Sequence, residues 1–210
     1  AALYNYIAAT TRGGTVPFAS SIPLLEEYVQ KFRKSARASE VEEYLAVAYY
    51  NEKDYTAALK AINRISNPGA KVLAAKQKIL FELGVRELSN GNAAEAEKHL
   101  REAQELARFD RKIAAQVDLW LGDALYAQKK YADADKAYES YLKQSEKGDN
   151  GALALYNLGY SLYMQDKFND AMVRFDEALA MKPGLTAALA ADARMRKADC
   201  LYYTGRLNSA

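Results

Sequence analysis

The chain has 210 residues, 50% of them hydrophobic, with 29 basic and 27 acidic residues and a formal net charge of +2. This balance lacks the clustered positive charge that phosphate binding requires, which argues against nucleic acid and anionic membrane surfaces as partners. No apolar run reaches the roughly 18–20 residues that a membrane-spanning helix needs. The single Cys200 excludes an internal disulfide and leaves the compartment open.

Taken in order, the chain begins with an irregular unit over residues 1–38, in which a glycine pair precedes an amphipathic helix near 24–32. Ser39 then offers an N-cap, and Glu42 follows three residues later, at the spacing of a capping box. A regular helix-turn-helix pattern comes next at 41–62. Apolar periodicity and helix breakers therefore predict paired helices.

The later units are more regular. The third opens with a long helix at about 70–89, and a polar joint at 146–151 links the fourth to the fifth. The clearest unit spans 155–183, where two apolar helical stretches flank a polar turn and Pro183 ends the second. One such pair cannot bury both of its apolar faces, so we expect a stack of similar pairs.

Pairs of small residues identify the copies of this helix pair along the chain. One small residue lies in each helix of a pair, where it allows two antiparallel helices to approach closely. The pairs recur at a period of about 38 residues, and in four of them an apolar residue follows the second member by four positions, namely Ile62, Leu100, Tyr138 and Phe175. The pairs are Ala46/Ala58, Gly84/Ala96, Gly122/Ala134, Gly159/Ala171 and Ala198/Ala210, with Ala8/Ser20 as a weaker first copy.

These residues resemble the tetratricopeptide repeat (TPR), whose pattern has Leu-Gly on the first helix and Ala, Phe, Ala and Pro after it. The resemblance implies an all-α fold, a right-handed α-solenoid of helix-turn-helix repeats. It departs in period, which is about 38 here and ~34 in the usual repeat, and a longer first helix is one explanation. The best match is formed by Leu158, Gly159, Ala171, Phe175, Ala178 and Pro183.

A single solenoid domain is expected, and it is expected to be a section of a longer array because both ends fall inside a repeat. The segment 41–62, with Tyr28 and Phe32 before it, further resembles repeats of bacterial cell-envelope proteins, the outer-membrane assembly lipoproteins and the Tol-Pal coordinator. That resemblance implies a periplasmic or cell-envelope location, with the cytoplasm as the alternative. Within residues 1–210 the expected units are about 1–38, 39–76, 77–114, 115–151, 152–190 and a partial 191–210.

No residue pattern points to catalysis. His99 is the only histidine and is expected to face solvent among charged neighbours. Cys200 has no histidine partner, so we expect a buried structural thiol. We therefore expect a non-enzymatic protein without a cofactor or a metal. Two acidic pairs are interpreted as solvated faces, namely Glu42-Glu43 and Asp133/Asp135.

Tyrosine is abundant, with 16 residues, and several fall on the first-helix face that TPR arrays, by resemblance, turn toward a concave groove. Tyrosine suits a binding surface because it offers large apolar area and a hydroxyl at little entropic cost. Packing between neighbouring first helices is the alternative for each of them. The predicted ligand face consists of Leu119, Asp123, Tyr126, Tyr156, Tyr160, Tyr163, Asp199 and Tyr202, with the two aspartates favouring basic residues in the ligand.

The sequence thus favours a scaffold that binds an unidentified protein or peptide through this groove, with self-association through the open repeat ends as a variant. An RNA-binding helical repeat array is the rival, and the near-zero net charge argues against it. A substrate-recruiting region of a larger enzyme is the third alternative.

Overall fold

The computed structural model describes residues 4–5, 18–144 and 150–205. These residues form ten α-helices and no strand. The helices are α1 (Phe18–Lys31), α2 (Ala38–Asn51), α3 (Tyr55–Asn63), α4 (Ala70–Ser89), α5 (Ala93–Glu105), α6 (Arg111–Ala127), α7 (Tyr131–Gln144), α8 (Gly151–Tyr163), α9 (Phe168–Ala180) and α10 (Ala187–Tyr203).

Each helix packs against the next one along the chain, and α4 also contacts α6, as α6 contacts α8. Helices α2, α4, α6, α8 and α10 are the first helices of units two to six, and α1, α3, α5, α7 and α9 are second helices. This arrangement confirms the predicted all-α, right-handed α-solenoid. The core is continuous along the stack, since Ile79 and Leu80 on α4 belong to its N-terminal and C-terminal clusters respectively.

In units three to five the small first-helix residue is a glycine, and it makes room for a bulky residue of the second helix. A Cβ on Gly84 would lie 2.6 Å from Cγ of Leu100, and one on Gly159 would lie 2.8 Å from Cε1 of Phe175. The predicted close approach is therefore confirmed, and its cause is the apolar side chain that fills the space over the glycine. The signature alanines are buried as well, at Ala46, Ala58, Ala96, Ala134 and Ala171.

The turn within each of units two to six contains one residue in the left-handed region. Its N–H bonds the carbonyl three residues earlier, and in four of the units the next N–H reaches the carbonyl five residues before it, which together make a Schellman-type helix end. Glycine occupies this position in two units, whereas lysine or aspartate occupies it in three, although an L side chain is disfavoured there. The residues are Lys53, Gly91, Lys129, Asp166 and Gly205.

Several local predictions can be compared with these helices. Helix α4 covers the predicted range 70–89, and its 20 residues account for part of the long period. The capping box is wrong, because α2 begins at Ala38 after Arg37 and has no side-chain cap, while Glu42 pairs with Arg64 instead.

Some predictions lie outside the described residues. These are most of the first helix of unit one with Ala8, most of the joint at 146–151, and the second helix of unit six with Ala210. The assignment of residues 1–210 to one domain stays a prediction. Pro183, which was expected to end the fifth unit, lies three residues after the end of α9.

Candidate functional site

The first helices carry a row of equivalent side chains, here called the first-helix face. It is made by the residues one and four positions after the small first-helix residue in units two to six. These residues are half-buried or exposed, and they are Val47 and Tyr50, Val85 and Leu88, Asp123 and Tyr126, Tyr160 and Tyr163, and Asp199 and Tyr202.

Four residues of the predicted ligand face surround one cavity between α6 and α8, called the Asp123 cavity. Its volume is about 360 Å³, which is at the lower end of the range for ligand sites. The first-helix spacing brings these side chains together because α6 and α8 are neighbours in the stack. The lining is Asp123, Tyr126, Tyr138, Tyr156, Asn157 and Tyr160.

Asp123 is the only acidic residue among the residues that line this cavity. Tyr138 Oη donates a hydrogen bond of 2.7 Å to Asp123 Oδ1, and Asn157 Nδ2 donates one of 2.9 Å to the same oxygen. Burial raises the pKa of Asp123, while these two hydrogen bonds oppose that rise. Both donors are neutral, and no ion pair joins Asp123 to a cation of the described residues. The cavity therefore presents a half-buried carboxylate between aromatic rings.

Tyr156 and Tyr160 have a structural task in addition to lining this cavity. Tyr156 Oη donates a 2.8 Å hydrogen bond to Asp192 Oδ2 on α10, and Tyr160 Oη donates a short one to the same oxygen. Burial and the Asp192 hydrogen bond raise the pKa of both phenols. The rings also contact each other and Phe175 edge to face. These two tyrosines thus join units five and six.

The remaining predicted tyrosines lie toward the C-terminal end of the face. Tyr163 packs edge to face on Phe168 and Tyr203, and Phe168 stacks on Tyr203 at 4.8 Å between ring centroids. Tyr202 is 63% exposed. Asp199 accepts a 2.6 Å hydrogen bond from Arg196 Nη1, so its charge is already balanced within α10.

Leu119 was predicted to belong to the ligand face, but the structure places it in the core. Its side chain is 3% exposed, because it lies on the part of α6 that its neighbours cover. It therefore offers no surface to a ligand in this structure.

Two acidic residues that were interpreted as solvated are buried. Glu42 is 3% exposed and pairs with Arg64 at 2.8 Å, whereas its neighbour Glu43 is exposed as expected. Asp135 is 9% exposed and accepts a hydrogen bond of 2.8 Å from Gln165, whereas Asp133 is exposed. The prediction of solvated faces is thus wrong for one member of each pair, because a partner helix covers it.

The two candidates for reactive side chains have structural surroundings. Cys200 is fully buried, as predicted, and burial raises the pKa of its thiol to about 11. A thiol of this kind stays protonated near neutral pH and is a poor nucleophile. His99 is half-buried instead of facing solvent, and its Nδ1 atom has no hydrogen-bond partner among the described residues.

A second cavity lies on the same face between α2 and α4 and is called the Val47 cavity. It has a volume of about 250 Å³, and Val47, Tyr50 and Ile62 in it correspond to Asp123, Tyr126 and Tyr138 in the first cavity. Lys78 lies over the Tyr50 ring, with Nζ 5.3 Å from the centroid. The same repeat positions thus form an apolar cavity with lysines at one end of the face and an acidic, aromatic one at the other.

Sequence reasoning missed three residues that complete the Asp123 cavity and its support. Asn157 and Tyr138 hold the carboxylate, and Asp192 anchors the two tyrosines. A polar Asn157 on the otherwise apolar helix α8 was a signal that could have been used. Asp192 had no such signal, because its role depends on how unit six packs against unit five.

Helix pairs stacked in this manner define a TPR solenoid. BtubC (BKLC) from P. vanneervenii has a similar solved structure, with a TM-score of 0.60 at 17% identity over 91% of this chain and 84% of that chain. YrrB, a TPR protein with an unusual peptide-binding site, has a TM-score of 0.55 at 16% identity over 90% of this chain and 88% of that one. Identities this low show a common fold alone.

The family is given by a sequence match. The family model of YfiO, an outer membrane lipoprotein, matches residues 73–197, more than half of the chain, so the chain belongs to the YfiO family. The TPR repeat-containing protein MJ1428 of Methanocaldococcus jannaschii is 37% identical over 79 residues, 36% of this chain. The chain spans 13% of that relative's length. No helix of the described residues combines the length and apolarity needed to cross a membrane.

Proposed function

We propose that this chain is a non-enzymatic scaffold of the bacterial cell envelope that binds a segment of a partner protein along its first-helix face. We further propose that a lysine or arginine of the partner enters the Asp123 cavity. A TPR fold and the YfiO family support the scaffold role, and the family's description as an outer membrane lipoprotein supports the location.

The carboxylate of Asp123 is the observation that carries the choice of ligand. It is half-buried, and its described hydrogen-bond donors are the neutral Tyr138 and Asn157, so a cation from a ligand would meet an uncompensated negative charge. Tyr126 and Tyr160 add ring surfaces beside it, and aromatic rings attract cations by about 0.5–2 kcal/mol. A phosphate backbone would be repelled by the same carboxylate, which disfavours the RNA-binding alternative.

The Val47 cavity extends this proposal along the face. Its lining is apolar apart from Glu43 and two lysines, Lys71 and Lys78. An apolar side chain of the same partner segment would fit there, and the lysines favour a neighbouring acidic group. The proposed ligand is therefore a segment with a basic residue toward units four and five and an apolar residue toward units two and three.

The test is selection of peptides from a random library by the purified chain, followed by sequencing. Wild type should enrich peptides with lysine or arginine at one position, and Asp123→Asn should lose that enrichment while keeping its melting temperature within a few degrees. Asp133→Asn is the matched control, because Asp133 is exposed on α7 and pairs only with Lys136 among the described residues. Equal enrichment of basic residues by both variants would refute the role of Asp123, and no enrichment by wild type would refute peptide binding.

A further inference from the structure

A third cavity lies away from the first-helix face, where the end of α1, the start of α2 and the end of α3 meet. It is called the junction cavity and has a volume of about 550 Å³. Polar and charged side chains dominate its lining. Among them are Glu26, Arg33, Lys34, Ser39, Glu42 and Arg64.

One carboxylate oxygen of Glu42 in this cavity lacks a hydrogen-bond donor. Its side chain is buried at 3% exposure, and Oε1 pairs with Arg64 Nε at 2.8 Å. Its Oε2 atom is buried and has no hydrogen-bond partner among the described residues. A buried acceptor without a donor is costly, by about 1–3 kcal/mol, so the site is incomplete as the described chain forms it.

Unit four has a buried carboxylate at the same repeat position, and both of its oxygens have hydrogen-bond donors. Asp118 lies four residues before Gly122, as Glu42 lies four residues before Ala46, and it is also 3% exposed. Its carboxylate accepts hydrogen bonds of 2.6 Å each from Gln104, Ser140 and Gln144. The Ser140 position is taken by Arg64 in unit two and the Gln144 position by Pro68, which has no side-chain donor, so the second oxygen of Glu42 is enclosed without one.

The cations that border the junction cavity are also available. Arg33 and Lys34 are exposed on the segment after α1, and neither has an ion-pair partner among the described residues. The cavity thus offers exposed positive charge, with Arg33 already acting on Glu42 through space, beside a buried oxygen that has no donor. A fully ionised phosphate group would satisfy the cations but has no donor for Glu42, and a metal ion would meet three basic side chains against two carboxylates, Glu26 and Glu42.

We propose that the junction cavity is a second binding site, for an acidic peptide segment of a partner protein. A carboxylate of the segment pairs with Arg33 and Lys34, and an adjacent backbone N–H donates to Glu42 Oε2 once that enclosed carboxylate turns toward the cavity. An acidic peptide carries both groups a few ångströms apart. Arg64, held by Glu42, borders the same space and adds a third donor.

The probe is a short labelled peptide of alternating glycine and glutamate, with alternating glycine and glutamine as its uncharged counterpart. Fluorescence anisotropy with the full chain should show binding of the glutamate peptide and about tenfold weaker binding of the glutamine peptide. The double variant Arg33→Gln/Lys34→Gln should lose about tenfold in affinity for the glutamate peptide. Lys31→Gln/Lys98→Gln removes the same charge outside the cavity lining and should bind as wild type does.

Glu42→Gln separates a specific site from a generally basic surface. It keeps both cations but replaces one of the two acceptor oxygens by an NH₂ donor, so it cannot accept from Arg64 with one oxygen and from the ligand with the other, and affinity should fall several-fold. The proposal is overturned if the two peptides bind equally, if the double variant binds like its charge-matched control, or if Glu42→Gln binds as wild type does while inorganic phosphate displaces the peptide. None of these variants changes the Asp123 cavity, so the two sites are tested independently.

Discussion

Units two and four have the same helix-turn-helix backbone pattern but opposite polar chemistry. Four residues before the small residue, Asp118 in unit four has three hydrogen-bond donors, whereas Glu42 in unit two has one ion-pair partner and one oxygen without a donor. One residue after it, unit four has Asp123 and unit two has Val47. The repeat therefore fixes where side chains lie, and single substitutions at fixed positions decide what each unit can bind.

The largest expected effect tests the difference between the two buried acids. Asp118→Asn removes the charge that three donors share, and it should lower the free energy of unfolding by about 1.5–3 kcal/mol, the range for hydrogen bonds to charged groups. Glu42→Gln should change it by about 1 kcal/mol or less, because its partner Arg64 is half exposed to solvent. Urea denaturation followed by circular dichroism measures both. Equal losses would mean that the two carboxylates are equivalent after all.

The next effect concerns Gly122, the small first-helix residue of unit four. Unit two has Ala46 at the equivalent position. A Cβ at Gly122 would overlap the Tyr138 ring, so Gly122→Ala should cost about 1–3 kcal/mol of stability. Gly69→Ala is the control, since a Cβ there meets no atom within 4 Å. Thermal melts of the two variants should differ by several degrees. If Gly122→Ala melts with the parent, the ring moves aside easily and the helix approach does not depend on glycine.

A smaller effect is expected in the pH dependence of unit two. Burial raises the pKa of Glu42 above its ordinary value of 4.5, even though Arg64 opposes the rise. The folded chain therefore holds the proton of the Glu42 carboxyl more tightly than the unfolded chain does. The stability that this protonation adds is present below pH 4.5 and is lost as the pH rises through the raised pKa. Relative to Glu42→Gln, wild type should be more stable at pH 4 than at pH 7. Denaturation midpoints that stay parallel over this range would contradict the assignment.

The smallest effect concerns the turns, which are alike in the two units. Lys53 and Lys129 both have a φ of 61°, so glycine at either position should stabilise the chain by about 0.5–1 kcal/mol. Gly91→Ala, at the equivalent position with a φ of 81°, should destabilise it by a similar amount. Opposite signs in the two experiments confirm the turn geometry, and matching signs contradict it.

The fold was largely predictable because helix periodicity and the small-residue pair are local signals. Gly159 and Phe175 mark the contact of two helices within one unit, and the sequence separation alone identifies it. Leu119 and Asp192 show the limit of prediction from such local signals. Helical angles placed Leu119 near the tyrosine stripe, but its neighbours bury it, and Asp192 joins Tyr156 only because unit six packs on unit five. Contacts between units depend on the packing angle of the stack, which no local pattern encodes.

The site was predictable in part for the same reason. Asp123, Tyr126 and Tyr160 lie together as the stripe predicted, since successive first helices are neighbours. The burial of Glu42 and Asp118 was not predictable, because an acidic residue on a helix ordinarily faces water. Their partners, Arg64 directly after α3 and Gln144 at the end of α7, come close only in the folded stack.

The central claim is that the Asp123 cavity receives a basic side chain, and the amide group of Asn157 reports on it directly. Asn157 Nδ2 donates to Asp123 Oδ1 at 2.9 Å, so a cation beside that carboxylate must change its environment. In heteronuclear NMR of the labelled chain, titration with an arginine-containing peptide selected as above should shift the Asn157 side-chain amide signal. The same peptide with glutamine for arginine should leave it in place. A peptide that binds while this signal stays unchanged, with shifts confined to other helices, would contradict the account.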